Sequence, residues 1–195
     1  MSGPVLLMLS GPSGAGKTTV AKRLLKENAG LRRVVTCTTR APREGEADGV
    51  DYHFLGEEEF VRRVEAGDFL EQAEVYGRRY GTLKKDVLER LAAGGDVLLV
   101  NDVQGALAVQ ELAAGDVRLD EALVSVYIVT ETIDELRARL VSRGKDALDV
   151  IEERLAVAES EMSEAGHFDH VRVSGSMEED WQWIQGVYRK SWGDE

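Results

Sequence analysis

The chain has 195 residues, 43% of them apolar, which excludes wholesale disorder and allows a core without disulfides in one or at most two domains. Its longest apolar run, Val5–Leu9, is far short of the ~20 residues a membrane span needs, and no basic-then-apolar leader follows Met1. With Cys37 as the only cysteine, a soluble cytoplasmic protein, independent of membranes, is expected. The net charge of −12 is uneven: residues 1–97 hold 15 basic and 15 acidic side chains, residues 98–195 hold 9 and 21. A long nucleic acid, which needs an extended basic face, is disfavoured, whereas a small anion in a local basic cleft is allowed.

Val5–Leu9, bounded by Pro4 and Gly11, predicts a strand buried on both faces. A helix follows, with Val20, Leu24 and Leu25 on one face, ending near Gly30. Residues 34–82 then break the pattern. Two-residue alternations, turns and mixed charge, with Tyr52, Phe54, Phe69 and Tyr80 interspersed, predict an inserted, partly β subdomain. Leu83–Ala93 carries Val87, Leu88 and Leu91 at helical spacing, and Val97–Val100, Val124–Val129 and Val171–Val173 predict further strands. Thr132 with Glu135 reads as a capping box opening a helix through Leu136 and Leu140. Residues 138–154 form a charged helical segment interrupted at Gly144, a second candidate insert. Ser176 with Glu179 opens the last helix, whose apolar stripe is Met177, Trp181, Ile184 and Tyr188, with Trp183 and Trp192 packing or edging it. Strands alternating with helices predict an α/β fold around a parallel sheet.

The first strand runs into Gly11-Pro12-Ser13-Gly14-Ala15-Gly16-Lys17-Thr18, which satisfies G-x-x-x-x-G-K-[ST] between a strand and a helix. Glycines let the backbone wrap closely around phosphates with successive N–H groups turned inward, and the helix N-terminus adds positive potential. Lys17 is expected to reach the β/γ-phosphates, the Thr18 hydroxyl to ligate Mg²⁺, and Thr19 to join the ATP contacts. The Asn-Lys-x-Asp signature of a GTPase is absent from the chain.

Thr36-Cys37-Thr38-Thr39-Arg40-Ala41-Pro42-Arg43-Glu44-Gly45-Glu46 and Gly49-Val50-Asp51-Tyr52-His53-Phe54 strongly resemble guanylate kinases. The resemblance continues through Phe69-Leu70-Glu71, Tyr80-Gly81-Thr82 and Asp102-Val103-Gln104-Gly105, in order along nearly the whole chain. It implies a P-loop NTPase fold: a three-layer α/β/α parallel-sheet core, a partly β GMP-binding insert and a helical lid. The corresponding division is core over residues 1–33, 83–137 and 155–195, insert over 34–82 and lid over 138–154. The implied reaction is ATP plus GMP giving ADP and GDP, in purine nucleotide metabolism, with Mg²⁺ accompanying ATP and dGMP as a further acceptor. The chain would act as a monomer or homodimer.

The residues make chemical sense in these roles. Arg40 and Arg43 present planar forks to the phosphate dianion of GMP, and Tyr52 and Tyr80 can donate from their hydroxyls. The resemblance makes Glu71 the carboxylate that accepts from guanine N1–H and the exocyclic amine, with Thr36, Thr82 and Asp102 completing the pocket. Adenine, with an unprotonated N1, would leave that carboxylate unpaired. Arg139, Arg143 and Arg154 match the lid arginines, which neutralise the transferring phosphoryl group with Lys17 and Arg40. Arg139 and Arg143 are i,i+4 on one helix face; the alternative for each lid arginine is a surface pair with Glu135, Asp146 or Glu153.

Two positions depart from the family pattern. Val100 stands where many relatives have an acidic residue before D-x-Q-G and is followed by Asn101, so Asp102, through water, or Asn101 is left to serve near the metal. Ser174 stands where an Asn near the adenine is usual. Two other readings compete: a non-enzymatic scaffold module, which would characteristically have lost Lys17 and the lid arginines, and a P-loop kinase acting on a ribose phosphate, against which Glu71, Thr82 and Asp102 argue.

Overall fold

A computed structural model describes residues 3–75, 77–144 and 147–191; Asp146 and Trp192 lie outside the described residues. The four apolar runs, with the two-residue Arg32–Arg33 at one edge, become the strands of a parallel sheet in the order β2-β7-β1-β8-β9. These are β1 (Leu6–Ser10), β2 (Arg32–Arg33), β7 (Val97–Val100), β8 (Leu123–Val129) and β9 (His170–Val173). Side chains alternate across a strand, so each central strand feeds two cores. Leu6 and Met8 of β1 with Leu99 of β7 and Tyr127 of β8 pack against α3 (Lys84–Ala92), α4 (Val103–Ala114) and α5 (Val117–Ala122). Leu7, Leu9, Leu98 and Ile128 face the other way, onto Val20 and Leu24 of α1 (Lys17–Glu27) and Ile184 and Tyr188 of α8 (Met177–Lys190). The result is the expected three-layer α/β/α core.

Within 34–83 a second sheet forms, ordered β4-β3-β6-β5: β3 (Cys37–Thr38), β4 (His53–Phe54), β5 (Phe69–Val75) and β6 (Arg78–Leu83). It shares no strand with the first. α2 (Glu57–Glu65) covers it, with Phe60 stacked on Phe69 at 4.6 Å between ring centres above the buried Cys37. After β8, α6 (Ile133–Arg143) and α7 (Leu148–Met162) pack on each other through Leu136, Leu140, Ile151 and Leu155. Gly144, at φ 61°, ends α6 in the left-handed conformation that glycine tolerates best. A 3₁₀ turn, Ser163–His167, leads into β9.

Two details differ from the sequence reading. The capping box at Ser176 and Glu179 is complete, but at Thr132 only one half forms: its hydroxyl accepts from the Glu135 N–H, while the Glu135 carboxylate turns to Arg139 at 2.6 Å. An arginine one turn on is a stronger partner than a backbone amide. Met177, expected in the apolar stripe of α8, is 55% exposed. As the first residue of its helix it lies in a groove of about 540 Å³ beside Thr18, Thr19 and Lys22 instead of the core.

Candidate active site

Gly11, Gly14 and Gly16 all have φ between 100° and 131°, so the turn after β1 is closed to ordinary side chains. A Cβ on Gly11 would lie 2.0 Å from the Ile128 carbonyl oxygen, and one on Gly14 would lie 2.9 Å from Leu140 of α6. The loop is thus pressed between β8 and the α6–α7 pair, with Ala15 fully buried. Lys17 opens α1 and curls back, donating to the carbonyls of Gly11 and of Pro12, the latter at 3.0 Å. Desolvation brings its amine down to about 8, with Glu161 and Asp102 opposing that fall and Arg143 adding to it. Thr18 and Thr19 stay exposed at the helix start.

The α6–α7 pair reaches the loop through arginines. Arg139 donates to the Ser174 hydroxyl at 2.8 Å and to the Ala15 carbonyl at 3.4 Å, besides its pair with Glu135. Ser174 hands its own proton to Asp180 at 2.6 Å, which fixes its oxygen as the acceptor for Arg139. Arg154, 9% exposed, donates to the Ser13 hydroxyl at 3.1 Å. Arg143, at the end of α6, acts on Lys17 through its charge.

Across the cleft, the loop after β3 gathers the phosphate-type donors. Arg40 makes two bonds to Glu46, at 3.0 and 2.9 Å, and its guanidinium lies over Tyr52, 5.3 Å from the ring centre. Glu46 also accepts the Arg43 backbone N–H at 2.8 Å, so one carboxylate holds both arginines in register. Tyr80 stands edge-on to Tyr52 at 6.1 Å.

Deeper in the cleft, Glu71 projects from β5 at 6% exposure. Its Oε1 accepts from the Thr82 hydroxyl at 2.6 Å and the Asn101 amide at 3.0 Å. Burial, with Asp102 reinforcing it, pushes this carboxyl up to about 7, while the bonds from Thr82 and Asn101 pull it down. Gly105 makes room for it, since a Cβ there would lie 2.9 Å from Oε2. Thr36 is buried nearby in the segment entering β3, its carbonyl taking the His53 N–H at 2.9 Å. Asp102 caps α4 by accepting the Gly105 N–H at 2.9 Å. Its charge is felt by both Lys17 and Glu71, which makes it the electrostatic link between the two ends of the cleft.

Two carboxylates, one buried and one half-buried, were not legible as site residues. Glu161 of α7 is 7% exposed, with its carboxyl raised by burial and offset by Lys17. Its spacing from Ile151, Leu155 and Ala158 would have placed it on the buried face of the helix. Glu46 lay inside the arginine motif, but nothing in its spacing gave it the clamping part it plays.

The guanylate kinase family model matches residues 4–190. A guanylate kinase of Maricaulis maris is 45% identical over 170 residues, 87% of this chain and 75% of that protein. One of Thiobacillus denitrificans is 42% identical over 185 residues, 95% of this chain and 85% of that protein. The crystal structure of guanylate kinase from Anaplasma phagocytophilum superposes with a TM-score of 0.79 at 34% identity, covering 97% of this chain and 87% of that one. A gluconokinase from Sinorhizobium meliloti, 15% identical with a TM-score of 0.54, shares the fold alone. With the model spanning almost every described residue and relatives this similar over most of their length, the chain belongs to the guanylate kinase family.

Proposed function

We propose that this protein transfers the γ-phosphoryl group of ATP to GMP, and to dGMP, giving ADP and the diphosphate. The observation that carries this reading is the arrangement of two sites about Asp102. A triphosphate loop with an inward lysine stands at one end and a buried carboxylate held by Thr82 and Asn101 at the other, with Asp102 between them.

In this reading Gly11–Thr19 hold ATP, and Lys17 leaves the loop carbonyls for the β/γ-phosphates. Arg40, Arg43, Tyr52 and Tyr80 hold the GMP phosphate, while Glu71, Thr36, Thr82 and Asp102 read the base. Phosphoryl transfer asks for positioning and charge neutralisation more than for covalent chemistry, and an acceptor dianion needs no general base. Arg139, Arg143 and Arg154, on a lid taken as residues 138–154, then exchange Ser174, Ser13 and Ala15 for phosphate oxygens. The Thr18 hydroxyl and the Asp102 carboxylate, the latter through water, are hard oxygen donors of the kind Mg²⁺ prefers, and they would hold it. Bound there, the ion would neutralise charge on the β- and γ-oxygens. Among the described residues no helix is long and apolar enough to cross a membrane. We place the enzyme in the cytoplasm.

A coupled assay of ADP release across GMP, dGMP, AMP, CMP, UMP and ribose phosphates tests the proposal. Turnover with GMP and dGMP far above the rest is expected; a preference for AMP or for a ribose phosphate would overturn it. Arg43→Ala is expected to weaken GMP binding by at least tenfold, the order of one lost charge-assisted contact, and to leave ATP binding within about twofold. Titrating each nucleotide separately checks this, and equal losses would remove Arg43 from the acceptor side.

A further inference from the structure

Asn101 follows the four aliphatic residues of β7 and is 7% exposed. Its backbone N–H donates to the Leu9 carbonyl at 3.1 Å, which fixes it at the end of the strand beside the one leading into the phosphate loop. Its side-chain amide donates to Glu71 Oε1 at 3.0 Å. The other end of the side chain, Oδ1, is buried with no hydrogen-bond partner among the described residues. Turning the amide over would set two acceptors against each other, so the nitrogen belongs on Glu71. A buried carbonyl without a donor destabilises the fold, and an aliphatic side chain would avoid that loss. What the asparagine supplies in exchange is its one side-chain bond, to Glu71.

That bond matters most when a base is present. Thr82 and Asn101 both donate to Oε1, which has two lone pairs to offer. The Thr82 hydroxyl has a single proton, and a guanine whose N1–H and amine face the carboxylate carries a carbonyl, O6, beside N1 that can take it. Glu71 would then keep one side-chain donor, Asn101. We propose that Asn101 is a positioning residue for the acceptor base, holding the Glu71 carboxylate ionised and turned toward guanine after the Thr82 hydroxyl has swung its hydrogen bond to the base. This rests on Glu71 as the reader of guanine.

Among the described residues, no cation is one of the largest influences on Glu71. The charge of Asp102, at the start of α4, opposes its ionisation, and Cys37 on β3, a thiol kept neutral by burial, feels the Glu71 charge in turn. From the helices over β5, Arg63 of α2 and Asp86 of α3 act on Cys37. Hydrogen bonds from Thr82 and Asn101 favour the charged form.

The test is kcat/KM for GMP as a function of pH in the wild type, Asn101→Leu and Asn101→Asp, with KM for ATP and Tm measured beside it. Asn101→Leu is expected to fold with a Tm at least equal to the wild type, because the orphan carbonyl is gone. Its kcat/KM for GMP should fall about tenfold at pH 7, through KM for GMP, with kcat and KM for ATP within about twofold. The acid limb should move up by about one pH unit, and most of the loss should be recovered near pH 9. Asn101→Asp keeps the volume but sets a second acceptor against Glu71, and should move the limb farther. The phosphate of GMP titrates in the same region, near pH 6, and contributes equally to all three profiles. If both variants keep the wild-type limb and KM for GMP, the inference is overturned. Glu71→Gln separates the two levels: if it retains GMP/AMP discrimination, the reading of Glu71 fails, whereas discrimination lost there with wild-type behaviour at Asn101 sinks the inference alone.

Discussion

Lys17→Ala is expected to lower kcat roughly 10³-fold or more, the scale seen when a preorganised charge is removed from a transition state, while the protein remains folded. The lysine fills no core space: its amine lies on the Gly11 and Pro12 carbonyls of the loop, and the Pro12 carbonyl keeps the Ala15 N–H at 3.2 Å when the amine is removed. Tm should therefore change by only a few degrees, as for substitutions that open no cavity. GMP affinity should hold, because the proposed acceptor donors sit on the loop after β3, just before β4, and on β6. Measuring kcat, Tm and GMP affinity on one preparation checks all three. Turnover within a few-fold of the wild type would remove the phosphate loop from the mechanism.

Glu71→Gln is the second large effect, with an expected loss of roughly 2–4 kcal/mol in GMP-dependent transition-state binding. The neighbours of the carboxylate make the substitution worse than a lost charge. Thr82 and Asn101 both donate to Oε1, so a glutamine must put its oxygen there and its NH₂ at the position of Oε2. That NH₂ then faces the two donors of guanine. Adenine, with N1 unprotonated, can accept from it, so activity toward AMP should rise slightly while ATP affinity hardly changes. Comparing kcat/KM for GMP and AMP in both proteins decides the matter; unchanged discrimination would mean that Glu71 does not read the base.

The same residue predicts a pH signature. With its carboxyl pushed up to about 7, the wild type should lose kcat/KM for GMP as pH falls below 7, and Glu71→Gln should lack that part of the limb. Stability runs the opposite way. A carboxyl whose folded pKa lies above its unfolded value of 4.5 contributes stability below pH 4.5 and loses it as pH rises through 7. Glu71→Gln should accordingly gain more in Tm at pH 8 than at pH 5, and a Tm difference independent of pH would contradict the buried-carboxyl account.

What could be read from the sequence is what is contiguous. The phosphate loop is eight adjacent residues between an apolar strand and a helix, and the strands β1, β7 and β8 announce themselves as short apolar runs because both their faces are covered, whereas β9, at the sheet edge, is largely exposed and shows only Val171 and Val173. α4 was not legible, since Val-Gln-Gly-Ala-Leu-Ala-Val-Gln-Glu-Leu-Ala-Ala has too few polar residues to mark an outer face. β2, two arginines long, offers no pattern at all. Relations across distance were also hidden. Asn101 meets Glu71 across 30 residues and Arg154 meets Ser13 across 141, and no local spacing encodes either.

The separation of the two sheets has a mechanical consequence. Because β3, β4, β5 and β6 pair only with one another, no backbone ladder among the described residues runs from the 34–83 half into the core. A rotation of that half would therefore stretch side-chain links, such as Arg33 to the Asp51 carbonyl and Asn101 to Glu71, and leave every strand pairing intact. The stiffness of the cleft is then set by a handful of polar contacts and the packing of α4 on β5. Guanine would leave the Asn101 bond to Glu71 in place, so the carboxylate that would read the base is also one that ties the second sheet to the core.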